Sequence, residues 1–180
     1  MDYRTERPSW DAYYLAMAML AATRSTCARR SVGSVFVSED NRQLSTGYNG
    51  TAPGAPHCLE QPCAGAGCAS GTGLELCESS HSEISGIAFL PDPRQVHTVY
   101  CTTAPCNNCI TALLLTGAKR LVFIDDYPGS EESRRRWERA GRSWEKKGAI
   151  WHDAVYMMVH HQEIQTARRE AARQKSSPCP

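Results

Sequence analysis

Residues 81–109 read HSEISGIAFLPDPRQVHTVYCTTAPCNNC, and the order of signals in that stretch decides the fold. The apolar run after His81 predicts a helix over 81–90, stopped by Pro91, which lacks the N–H a continuing helix needs. The β-branched and aromatic run at 98–102 predicts a strand. Pro105 then leads into a second helix over 106–116, ended by Gly117, and 120–124 is again short, apolar and strand-like. Helix, strand, helix, strand in that order implies parallel crossovers, and hence an α/β domain.

Working back towards the N-terminus, Trp10, Tyr13, Tyr14, Met17, Leu20 and Ala21 recur at helical spacing behind Ser9, which predicts a helix over 9–23 with Ser9 as its N-cap. Residues 32–37 and 43–47 read as two strands joined by a polar turn at 38–42, a β-hairpin. From 50 to 73 the chain is rich in Gly, Ala, Pro and Cys without periodicity, longer than a compact domain leaves unsupported, so something other than a core must order it. Past residue 127 the expectations are a turn at 127–133, a polar, basic helix or pair of turns at 134–147, a last strand at 149–152, a closing helix at 153–174 and an unpacked tail at 175–180. Nothing repeats and no linker interrupts the chain, so 1–180 reads as a single domain.

The 180 residues, 41% of them hydrophobic, suffice for one core. Twenty basic and 19 acidic side chains leave a net charge of +1, so no overall field draws the chain to nucleic acid or to an anionic membrane. The charged start and the lack of any run near the ~18 apolar residues of a membrane span predict a soluble cytoplasmic protein. Nine cysteines, an odd number without a signal peptide, point to metal ligands or free thiols instead of a disulfide framework.

His81-x-Glu83 at one predicted helix start and Pro105-Cys106-x-x-Cys109 at the next resemble the signature of zinc-dependent deaminases. His81, Cys106 and Cys109 would give tetrahedral zinc three ligands and leave the fourth position to water. Glu83, on the same helical turn as His81, would lie beside that water and shuttle its proton. Each half alone has a blander reading, a helix-surface H-x-E or a C-x-x-C that is a structural zinc knuckle or a redox pair; the ordered combination carries the signal. The Ser82 N–H and the backbone around Ala104, at the helix starts, are candidates to bind a substrate carbonyl. Cys27, Cys58, Cys63 and Cys77, the last three of which lie in or beside the coreless loop, suggest a second, structural zinc that orders 50–80; Cys68 could replace any of them, and buried free thiols are the competing reading. Cys101 reads as a packed thiol and Cys179 as incidental.

A narrower likeness is carried by Arg7-Pro8-Ser9-Trp10-Asp11, Arg24-Ser25-Thr26-Cys27 with Arg30 and Val32-Gly33, Ser45-Thr46-Gly47-Tyr48-Asn49-Gly50, His57-Cys58 and Glu75-Leu76-Cys77. From residue 7 to residue 127 the chain resembles deoxycytidylate (dCMP) deaminases and the related competence-type deaminase proteins. The resemblance implies a cytidine-deaminase-like three-layer α/β/α sandwich with a mixed sheet of about five strands, and hydrolysis of dCMP to dUMP and ammonia. It also implies a homo-oligomer, often a hexamer, and control by a deoxynucleoside triphosphate (dNTP) effector. By the same resemblance His81, Cys106 and Cys109 hold catalytic zinc, Glu83 shuttles protons, Asn49 faces the sugar, and Cys27, Cys58, Cys63 and Cys77 hold the loop zinc. Asn-Gly after a strand is also simply a favoured turn.

The chain departs from the family where His-Ala-Glu-x-Asn-Ala becomes His81-Ser82-Glu83-Ile84-Ser85-Gly86. Ser85 and Gly86 are therefore expected to open the pocket wall and admit a 5-substituted dCMP or a different base. Phosphate needs a cation, for which Arg29 or Arg30 is nearest, a solvated surface arginine being the alternative. Two rival functions stay open: deamination of another base substrate (free cytosine, a nucleoside, a base in RNA or a purine nucleotide), and a catalytically silent, zinc-stabilised interaction protein. Arg134, Arg135, Arg136, Arg139 and Arg142 are interleaved with Glu138 and Glu145, which favours a solvated helix face over a nucleic-acid patch.

Overall fold

The computed structural model describes residues 2, 3, 5–69 and 72–175. Helix α1 (Trp10–Ala22) begins where Ser9 accepts a hydrogen bond from the Ala12 N–H at 3.1 Å. The hairpin β1 (Gly33–Val37) and β2 (Gln43–Tyr48) follows, then α2 (Ser82–Ala88), β3 (Thr98–Thr103), α3 (Asn107–Leu114) and β4 (Arg120–Asp125). The strands form one sheet in the order β2-β1-β3-β4-β5, antiparallel up to β3 and parallel from β3 onward, with β5 being Ser143–Lys146. The parallel half is what the helix-strand alternation of 81–124 requires.

Both faces of the sheet are covered, which makes three layers. Val35, Val37, Tyr100, Val122 and Ile124 pack with Tyr14, Leu15 and Ala18 of α1 on one side. Phe36, Val99, Cys101, Leu121 and Phe123, the alternate residues of the same strands, pack with Ile110 and Leu113 of α3 and with Trp137 on the other. Trp137 lies on α4 (Ser130–Arg139), which ends in a left-handed Gly141 at φ 74°.

Helix α4 occupies part of the expected turn at 127–133, because Glu131 and Glu132 sit in its first turn against the positive end of the dipole. The expected helix over 134–147 is cut short: its last part is β5, whose Trp144 packs edge-on to Phe123 at 5.0 Å. The expected strand at 149–152 is instead a 3₁₀ turn, Gly148–Trp151, with Ile150 and Trp151 against the α1-side core. The closing helix is two helices, α5 (His152–Val159) and α6 (His161–Lys175), broken at His160. The expected tail lies outside the described residues from 176 on. Arg134, Arg135 and Arg136 pair with Glu138 and Glu132, as a solvated face would, while Arg142 caps α3 by donating to the Leu113, Leu114 and Thr116 carbonyls. No described helix is long and apolar enough to cross a membrane.

Candidate active site

Helix α2 is fastened to the hairpin by buried hydroxyls: Ser34 donates to the Ser82 carbonyl at 3.0 Å and Ser45 to the Gly86 carbonyl at 2.8 Å. Gly47 lets the two backbones approach, since any Cβ there would collide with the Ser82 carbonyl and the Gly86 amide. This places His81, the N-cap of α2, beside Cys106, the N-cap of α3, at the carboxyl ends of β3 and β4.

His81 Nδ1 lies 3.2 Å from Cys109 Sγ and 3.4 Å from Cys106 Sγ. Zinc bonds of about 2.3 Å to sulfur and 2.0–2.1 Å to nitrogen at the tetrahedral angle put those atoms about 3.5 Å apart, so the donor set fits zinc without rearrangement. Among the described residues this is the one group of three or more His, Cys, Asp or Glu whose ligand atoms all lie within 4.8 Å. A hydrogen bond from Cys109, then one from His81, pulls the Cys106 thiol down to about 4. The same bond holds the Cys109 proton in place, and Cys106 raises His81. The triad thus carries protons that a dication would displace.

Glu83 is 4% exposed, and burial raises its carboxyl above the ordinary range against the opposing pull of its own backbone N–H and of His81. The Ser82 hydroxyl donates to Glu83 Oε2 at 3.1 Å. Both residues border a cleft of about 330 Å³, the low end of small-molecule sites, together with Arg30, Asn49, Ala104 and Tyr127.

Some expected contacts find other partners. The Asn49 amide is already engaged, accepting from the Val32 N–H at 2.7 Å and donating to the Arg30 carbonyl at 2.6 Å, so one N–H remains for a ligand. The Ala104 N–H is taken by the Asp125 carbonyl at 2.8 Å, which overturns its candidacy as a donor and leaves its carbonyl as what it can offer. Ser85 does not line the cleft, and Gly86 faces the core, where a Cβ would run into the Phe36 ring. The expectation that these two positions open the pocket is therefore corrected: Gly86 makes room for Phe36. The four loop cysteines form two pairs instead of one cluster, Cys58 Sγ at 3.6 Å from Cys63 Sγ and Cys27 against Cys77. Among the described residues eight cysteines are free thiols. Tyr127, just past β4, was not singled out by the sequence; its ring lies under the Arg30 guanidinium at 5.5 Å, and its one sequence signal is an aromatic directly after a strand's carboxyl end.

Comparison with known proteins agrees with this geometry. The sequence pattern described as the cytidine and deoxycytidylate deaminase zinc-binding region matches residues 8–125. The chain is similar to the deoxycytidylate deaminase of Schizosaccharomyces pombe, 38% identical over 139 residues that make up 75% of this chain and 43% of that enzyme. It is similar also to that of Mycobacterium phage D29, 35% identical over 123 residues, 65% of this chain and 95% of the phage protein. The chain thus spans less than half the length of the yeast relative and nearly all of the phage one. The crystal structure of dCMP deaminase from cyanophage S-TIM5 in complex with dCMP and dUMP shares the fold, with a TM-score of 0.62 and 22% identity over 79% of this chain and 99% of that one. The chain belongs to the cytidine and deoxycytidylate deaminase family, whose zinc-binding region it carries.

Proposed function

We propose that this protein hydrolyses dCMP, or a 5-substituted dCMP, to the corresponding dUMP and ammonia. The observation that carries the reading is the buried Glu83 carboxylate next to the His81, Cys106 and Cys109 donor set inside a nucleotide-sized cleft. Zinc held by those three residues supplies the Lewis acidity that makes water a nucleophile near neutral pH. Glu83 accepts the proton that water gives up on attacking C4 and delivers it to ring N3; it then takes the proton of the new C4 hydroxyl and passes it to the amine, which leaves as ammonia while the C4 carbonyl forms. Its burial suits that exchange, because a carboxyl raised above its ordinary range is a stronger base towards the attacking water.

The rest of the cleft suits a cytosine nucleotide. The Ala104 carbonyl accepts from the exocyclic amine, the Ser82 N–H donates to a ring carbonyl, the spare Asn49 N–H reaches a sugar hydroxyl, and Arg30 meets the phosphate. Among the described residues the Arg30 guanidinium has no hydrogen bond or ion pair of its own. The names of the yeast and phage relatives and the nucleotides bound by the cyanophage enzyme support dCMP over free cytosine.

A second zinc on Cys27, Cys58, Cys63 and Cys77 is part of the proposal. The 3.6 Å between Cys58 and Cys63 is close to the about 3.8 Å of two thiolates on one zinc, and the two cysteine pairs need to close on each other to share it. Eight free thiols support a reducing, cytoplasmic setting. Exposed Trp10, Leu20, Phe89 and Leu115 support a homo-oligomer. The test is ammonia release from the zinc-loaded protein on dCMP, 5-methyl-dCMP, CMP, deoxycytidine, cytosine, dAMP and dGMP, with and without added dNTPs. Turnover confined to a cytosine deoxynucleotide supports the proposal; turnover of cytosine or a purine nucleotide in its place refutes it.

A further inference from the structure

The loop after β2 has little core to hold it. Leu59, Leu74 and Leu76 are exposed, and the regular contacts that close it are a two-bond bridge between Gly50 and Ser80 and a Gly65 N–H to Leu76 carbonyl bond. Into it reaches Arg29 from the connection between α1 and β1. Its guanidinium donates to the carbonyls of Ala69 at 2.9 Å, Thr72 at 2.8 Å and Gly73 at 3.3 Å. The Ala69 carbonyl also accepts the Thr72 N–H and the Gly73 carbonyl the Leu76 N–H, and a planar fork of donors reaches all three carbonyls from one fixed plane, where a lysine ammonium has its donors on a single nitrogen.

The position of this clasp matters for the cleft. Ala28, Arg29 and Arg30 line one wall, while Cys68 and Leu74, on either side of the clasped carbonyls, line another. We propose that Arg29 is a positioning residue that ties these two walls together and so sets the cleft ready for its ligand, resting on the deaminase reading given above. The catalytic set stands apart, on α2 and α3, which the sheet holds. Without the clasp the ligand itself must order the Cys68 and Leu74 wall, which lies between the loop cysteines, and that entropy is taken from binding and not from the chemical step.

The test uses full-length, zinc-loaded wild type, Arg29→Ala and Arg29→Lys. The readouts are kcat and KM on dCMP, and amide hydrogen exchange of residues 66–69 and 72–77. The expected result for Arg29→Ala is a KM raised about tenfold with kcat within about twofold, since substrate and transition state lose the same binding energy. Exchange should quicken in the loop and stay unchanged in α2 and α3, added methylguanidinium should lower the KM again, and Arg29→Lys should fall between. Wild-type KM and exchange in Arg29→Ala, or a collapse of kcat at constant KM, would overturn the proposal. Should the wild type release no ammonia, the deaminase reading falls, and loop exchange alone then upholds or sinks the clasp.

Discussion

Gly86 shows how a single residue can be misread from sequence. It stands beside the catalytic helix start, yet its missing side chain accommodates Phe36 in the core. Gly86→Ala is expected to destabilise the protein by about 1–3 kcal/mol through overpacking, less the small gain in helix propensity, and Phe36→Leu should recover part of the loss in the double variant. Thermal or urea midpoints of the four proteins check this; additive effects would contradict it. Arg30 makes the complementary case, a residue whose guanidinium lies over the Tyr127 ring and is proposed to meet the phosphate. Arg30→Ala should raise the KM for dCMP about tenfold or more and leave deoxycytidine, which has no phosphate, nearly unaffected. The meeting of His81, Cys106 and Cys109, with Glu83 next to them, was legible because all four sit at two helix starts within one short stretch of chain. The Tyr127 contact was not, and Arg29 was read as a cation for phosphate and not as a partner of the loop carbonyls, because both contacts depend on segments distant in sequence meeting around the cleft.

Among the elements, α1, β3, β4 and β5 are tied by one polar network that hydrophobic patterning does not reveal. Arg120 on β4 donates to Asp11 on α1 at 2.7 and 2.8 Å and to Glu145 on β5 at 2.7 Å through two nitrogens, and the Tyr100 hydroxyl donates to Asp11 at 2.9 Å. The Arg120 guanidinium holds the Glu145 carboxyl down at about 2, while at Asp11 burial pulls upward and the Arg120 and Tyr100 donors overcome it. A carboxyl lowered in the folded state adds stability above its unfolded pKa and loses it as pH falls towards the folded value. The gap in thermal midpoint between wild type and Glu145→Gln should therefore be widest above about pH 5 and narrow steadily as the pH is taken down towards 2. A gap that does not change with pH would show that the network contributes packing and no charge. The hairpin, α1 to α3 and β4 followed from local signals such as the Ser9 cap and Pro91. β5 did not, because Ser143–Lys146 is polar and short, and is a strand only through its pairing with β4 and the contact of Trp144 with Phe123. Nor did the break at His160, where no Gly or Pro marks the boundary and the Tyr156 ring packs on the histidine at 4.3 Å.

At the scale of the whole molecule, metal and fold are linked, since the donor set joins the starts of α2 and α3 and the cysteine pairs lie in or next to the coreless loop. Metal analysis of protein purified under reducing conditions should find two zinc ions per chain, and Cys63→Ser should lower the count to one with His81, Cys106 and Cys109 still loaded. Removing zinc with a chelator should lower the thermal midpoint as well as abolish activity, because ions that bind only the folded chain stabilise it by mass action. Glu83 is proposed to move protons for hydrolysis of a cytosine nucleotide at the His81, Cys106 and Cys109 centre. The most direct test of that role is the rate of dCMP conversion to dUMP by zinc-loaded wild type and Glu83→Gln, with zinc content measured on both. Turnover by the wild type and a loss of about 10²–10⁴-fold in the variant at unchanged zinc are expected; equal rates in the two, or no turnover by the fully loaded wild type, would rule out that role for Glu83.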